Sequence, residues 1–115
     1  MDYPNDADGA ALRRVVRDGS DMSRPMDIDF AVSAPNEDVA NAIAYVAQAR
    51  GYRTEVCRDE NDEATTWSCY CTLTMIATYD GVVRVQAELD ALSRPLGGCA
   101  DGWGTFGNAP EPPGR

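Results

Sequence analysis

The chain has 115 residues, with ten basic and nineteen acidic side chains, no histidine and a net charge of −9. With 43% hydrophobic and 25% charged residues it has the apolar content for one modest core, which excludes wholesale disorder. Its negative field repels nucleic acid and attracts a basic partner, so a protein partner is expected and direct nucleic-acid binding is not.

The N-terminus, Met1-Asp2-Tyr3-Pro4-Asn5-Asp6, carries acid where a secretory signal needs base, and no apolar run reaches membrane-spanning length. A cytoplasmic chain without membrane attachment is the expectation, with Cys57, Cys69, Cys71 and Cys99 as reduced thiols. Asp6 or Asp8 caps a first helix that runs to about Asp18, with Leu12, Val15 and Val16 as its apolar stripe and Gly19 as its end. From Met26 the period changes to two. Met26, Ile28, Phe30 and Val32 alternate with Asp27, Asp29, Ala31 and Ser33, as in a half-buried strand.

Pro35 or Asn36 opens a second helix, which presents Val39, Ile43 and Val46 on one face with Ala40, Ala42 and Ala47 beside them, and Gly51 closes it. Tyr52 to Cys57 reads as a strand, 58–63 as a charged hairpin loop, and Thr65 to Ile76 as a third strand rich in Thr, Cys and aromatics. A third helix starts at Tyr79-Asp80, repeats Val82, Val85, Leu89 and Leu92 at helical spacing, and stops at Pro95. Gly98 to Trp103 is the last strand, and 107–115 is expected to be a flexible Pro/Gly-rich tail after a single domain spanning 1–106.

After the first helix the order is strand, helix, strand, strand, helix, strand. The predicted class is therefore α+β: a ferredoxin-like βαββαβ arrangement, with a four-stranded antiparallel sheet, two helices on one face and an extra N-terminal helix. Strand parity turns Asp27 and Asp29 onto the uncovered face, about 6.5–7 Å apart between Cα atoms. On the third strand Trp67, Cys69, Cys71, Leu73 and Met75 form the more apolar set, which leaves Tyr70 on the open face with the two aspartates. An aromatic among acids suits an arginine-bearing surface. Asp101 joins this set unless its neighbouring glycines introduce a bulge that reverses parity, and Trp103 is either a contact or a core residue.

Reaction chemistry is not in view, and no enzyme is expected. There is no histidine to activate a cysteine, and no Gly-rich phosphate loop. Cys69-x-Cys71 lacks the tight Cys-x-x-Cys turn of a thiolate zinc site, so the cysteines read as small apolar core residues, with no metal and no cofactor expected.

Five segments together resemble the regulator of ribonuclease activity B family: the turn Asp18-Gly19-Ser20-Asp21, the strand Met26-Asp27-Ile28-Asp29-Phe30, the close Gly51-Tyr52, the strand Trp67 to Cys71, and the terminal Asp101-Gly102-Trp103-Gly104-Thr105. The resemblance spans roughly residues 7–107, and the last segment is its most specific part. It implies a ferredoxin-like domain that binds ribonuclease E, whose noncatalytic region is rich in arginine, and lowers its activity. It also implies a basic ribonuclease or a degradosome-like component as partner. Members of the family carry a long acidic C-terminal extension, whereas this sequence ends in a short, nearly neutral tail with Glu111 and Arg115, so a weaker or different partner is one expectation. On this reading the contact residues are Asp27, Asp29, Tyr70, Asp101 and Trp103. The competing readings are a self-associating module of the same fold and a small-ligand or metal-binding domain that uses the cysteines.

Overall fold

A computed structural model describes residues 3–59 and 66–109. Helix α1 (Ala7–Arg17) precedes β1 (Pro25–Ala34), α2 (Glu37–Ala49), β2 (Arg53–Arg58), β3 (Trp67–Ile76), α3 (Tyr79–Ser93), a short 3-10 turn (Arg94–Leu96) and β4 (Cys99–Gly104). The four strands form one antiparallel sheet in the order β2-β3-β1-β4, the predicted topology.

The helix starts follow from their caps. Asn36 accepts the Val39 N–H at 2.9 Å, and Thr78 accepts that of Gly81 at 3.0 Å. At α1 the choice between two aspartates falls on Asp6, which accepts the Gly9 N–H at 2.8 Å. Asp8, inside the first turn, is thereby released for tertiary work.

Period two on β1 buries Met26, Ile28, Phe30, Val32 and Ala34 on one face. Against them pack Ala40, Ile43, Ala44 and Ala47 of α2, Val82, Val85 and Leu89 of α3, and Leu12 and Val15 of α1. Burying each of the larger aliphatic side chains stabilises the fold by about 1.5–3 kcal/mol before entropy is counted. Val16 is a correction to the predicted stripe. It is 44% exposed, because adjacent helical residues point about 100° apart and Val15 already holds the inward position.

Cys69 and Cys71 of β3 are fully buried on the helix-covered face, with their sulfurs 3.8 Å apart. This contact and burial push the Cys71 thiol far up from its ordinary pKa. Cys57 and Cys99 differ from them: both are half-buried and belong to the other side of the sheet, in register with Ser68 and Ser33.

At the start of the segment expected to be a tail, Asn108 is hydrogen-bonded to the loop after α1. Asn108 accepts the Asp21 N–H at 2.8 Å and donates to the carbonyls of Asp21, Arg24 and Pro25, while its own N–H reaches the Ser20 hydroxyl. One asparagine thus ties the segment after β4 to the loop between α1 and β1. Residues 110–115 of that tail, and 60–63 of the expected charged hairpin, lie outside the described residues. Asp59 stands at that hairpin's base and accepts from Thr66 and Ser68 at 2.8 and 2.7 Å, bonds that hold its pKa below the usual carboxylate range.

Candidate functional site

The helices leave one sheet face uncovered, and strand register fixes what stands on it. One row runs from Glu55 on β2 through Tyr70 on β3 to Ala31 on β1. The next runs from Arg53 through Thr72 and Asp29 to Gly104 on β4. Between Phe30↔Trp103 and Val32↔Ala100 the β1–β4 register shifts, so that Ala31 alone faces both Asp101 and Gly102. The extra residue is absorbed at Gly102, whose φ of +93° lies in the left-handed region that favours glycine.

These rows enclose a shallow groove of about 670 Å³. Ala31 and Gly104 are small and sit between larger neighbours, which gives the groove its depth. Tyr70 stands one strand from Ala31 on one side, and Asp101 stands on the other. Asp29, Glu55, Thr105 and Phe106 also line it.

Of the five residues predicted from sequence, the structure brings Asp29, Tyr70 and Asp101 together in this groove, with Trp103 at its border. Asp101 keeps its outward parity because the bulge begins after it. Asp27 lies on the same face but outside the lining, and it is engaged. It accepts from the Thr74 hydroxyl and pairs with the Arg53 guanidinium at 3.0 Å, contacts that hold its carboxyl below the usual range. Asp29 accepts from the Thr72 hydroxyl. Among the described residues no ion pair engages Asp29, Glu55 or Asp101.

Trp103 resolves toward the core. It pairs with buried Phe30, so its indole belongs to the helix side, where Nε1–H donates to Asp8 Oδ1 at 2.9 Å. The same oxygen accepts from Gln86 Nε2 at 3.0 Å. Asp8 therefore joins α1, α3 and β4 through one carboxylate, while Trp103 also borders a cleft of about 250 Å³ beside Ala11, Arg14 and Val15.

Arg53, Glu55 and Phe106 were missing from the sequence reading. Parity on the second strand, where Arg53, Glu55 and Cys57 alternate with Thr54 and Val56, carried the signal for the first two. Nothing local marks Phe106. It is the most exposed large hydrophobic side chain, on a segment whose anchors lie far away in sequence: Thr105 Oγ1 donates to the Asp27 carbonyl at 2.6 Å, and Asn108 binds the α1–β1 loop.

Among the described residues no group of three or more His, Cys, Asp and Glu side chains is placed to hold a metal ion, and no helix is long and apolar enough to cross a membrane. What the face offers is a contact surface: carboxylates, two aromatic rings and a small-residue floor.

No curated protein matches the chain closely enough to count as a relative. The family profile described as regulator of ribonuclease activity B matches residues 5–105. Members of that family are regulatory inhibitors and not enzymes, and membership implies a regulator of ribonuclease E activity with the ribonuclease as protein partner. With the predicted βαββαβ sheet in place and the match covering nearly the whole length, the chain belongs to the regulator of ribonuclease activity B family.

Proposed function

We propose that this protein acts in the cytoplasm as a non-enzymatic regulator that docks on ribonuclease E through its open sheet face. The family match over residues 5–105 carries the proposal. The binding mode is argued from charge: a net charge of −9 and a groove bordered by Asp29, Glu55 and Asp101 favour a partner segment rich in basic residues. Asp29 and Asp101 are the main contacts, with Tyr70 on β3, across β1 from Asp101. Asp27 contributes less, since Arg53 already balances its charge, and Trp103 acts as a support for β4.

The test is binding of the purified protein to ribonuclease E across a salt series, alongside an endonuclease assay. Affinity should fall as salt rises, because contacts between exposed charges are screened beyond a Debye length of about 8 Å at physiological ionic strength. Asp29→Lys combined with Asp101→Lys should abolish binding and restore cleavage, whereas Asp27→Lys alone should weaken binding only a fewfold. Unchanged affinity in the double variant sinks the open-face mode. Uninhibited cleavage by a saturated complex sinks regulation of this nuclease.

A further inference from the structure

Phe106 belongs to no core cluster and is wholly exposed, yet it does not sit on a loose loop. On its N-terminal side Thr105 bonds the β1 backbone, and the Gly107 N–H returns to the Thr105 hydroxyl at 3.0 Å. On its C-terminal side Asn108 makes four side-chain hydrogen bonds to residues 21–25. Holding a large apolar ring in water on a tied turn contributes nothing visible to folding. It does reduce the entropy lost when a partner covers the ring, as expected of an interface anchor.

The ring lines the same groove as Tyr70, Asp29 and Asp101. Two aromatic surfaces and the carboxylates of Asp29, Glu55 and Asp101 around a small-residue floor complement one side-chain chemistry better than others. A guanidinium is planar, stacks on aromatic faces and can meet a carboxylate with two parallel N–H bonds; an ammonium offers a compact, strongly hydrated charge instead. Arg53, the one cation in the lining, is directed to Asp27, outside it.

We infer that the groove over Ala31 is an arginine-selective docking pocket, in which Phe106 and Tyr70 flank a partner guanidinium that Asp29 and Asp101 bind. This rests on the open-face reading above and adds to it a named side chain on the partner and an anchor, Phe106, on this chain.

The experiment titrates the intact protein with the blocked peptide acetyl-Gly-Arg-Gly-Arg-Gly-amide and with its lysine counterpart, followed by amide chemical shifts. The arginine peptide should bind about two- to fivefold more tightly, the range expected of cation–π contact at an exposed site. Its shifts should centre on Ala31, Tyr70 and residues 101–106. Phe106→Leu, which keeps apolar bulk without a π face, should erase the arginine preference, and Phe106→Trp should keep it. Since Phe106 is fully exposed, neither change threatens folding. Equal affinity for the two peptides, shifts centred elsewhere, or an arginine preference that survives Phe106→Leu would each overturn the inference. So would a dimer that dissociates on dilution only when Phe106 is replaced, since the ring would then serve self-association. Binding to ribonuclease E separates this inference from the reading beneath it. If Asp29→Lys with Asp101→Lys abolishes that complex while Phe106→Leu leaves it intact, docking on the open face stands and the arginine pocket falls. If the arginine peptide is preferred but ribonuclease E does not bind, the pocket stands and the assigned partner falls.

Discussion

At the scale of single residues, Asp8 shows how one carboxylate can do tertiary work that its position in a helix does not announce. Acids are common in a first helical turn, where the dipole favours them. Here Asp8 also receives the Trp103 indole N–H and the Gln86 amide, and so couples three elements. Asp8→Ala should cost about 1–3 kcal/mol, since it removes the acceptor and leaves two half-buried donors unmet. Asp8→Asn, which keeps an acceptor oxygen, should recover much of that loss. Denaturant unfolding followed by tryptophan fluorescence reads both variants, and an Asp8→Ala variant as stable as the parent would remove this joint from the account of the fold. The site was partly legible at the same scale. Parity alone turned Asp27, Asp29 and Tyr70 outward, because a strand admits only two side-chain directions. Parity could not show that Arg53 neutralises Asp27, since the two meet across intervening β3 only once the strand order is known. Nor could it decide Trp103, whose direction depends on how the β1–β4 register resumes after a bulge.

At the scale of elements, existence and type were readable while ends and long-range ties were not. The β1 alternation and the 3-4 spacing on α3 are strong periodic signals, and both elements form where they are expected. The last strand begins at Cys99 and ends at Gly104, one residue later than predicted at each end. Its start is set by packing. A Cβ placed on Gly98 would stand 2.7 Å from Ile43 Cδ1 and 2.7 Å from the Ser33 carbonyl oxygen. The first contact can yield by rotation of a side-chain end, but the second is sheet backbone and cannot. Gly98→Ala should therefore destabilise by about 1–3 kcal/mol, the usual range for overpacking, despite alanine's better intrinsic propensities. Thermal unfolding checks the size, and amide exchange at Ser33 and Cys99 checks the place. A stable Gly98→Ala variant with normal protection there would show that β4 can move away from β1 at no cost. The Asn108 clamp was invisible for a different reason: its partners lie more than eighty residues upstream, and no local pattern encodes so distant a hydrogen bond.

At the scale of the whole molecule, the dominant electrostatic fact is the excess of acid, and the hydrogen bonds made by those acids set a pH window for stability. Asp6 is held below the ordinary carboxylate value of 3.8, chiefly by the Tyr79 hydroxyl and the Gly9 N–H, and Asp90 likewise by Arg94 and the Ala100 N–H. Asp27 and Asp59 are lowered in the same direction by the partners already described. A lowered carboxyl pKa means that the unfolded chain binds the proton first as pH falls. The stability these groups contribute is therefore complete above 3.8 and drains away as pH drops through their folded values. At the alkaline end the sign reverses for Tyr52, whose phenol is pushed from 10.0 to about 12, first by burial and then by Glu88. Its contribution is complete below pH 10 and is lost by about pH 12, because the unfolded chain releases that proton earlier. Thermal denaturation from pH 2 to pH 11 should thus show a plateau through neutrality, an acid limb beginning near pH 4 and an alkaline limb beginning near pH 9, where the unfolded chain first releases the Cys71 proton. Asp59→Asn should make the acid limb shallower, and Tyr52→Phe should shrink the alkaline one, whose remainder belongs to the raised Cys71 thiol and Tyr79 phenol. Because Asp59 lies outside the docking groove, neither its replacement nor that of Tyr52 should alter ribonuclease binding at neutral pH. An acid limb unchanged by Asp59→Asn would mean that the hydrogen bonds at the hairpin base carry no weight in the folded state.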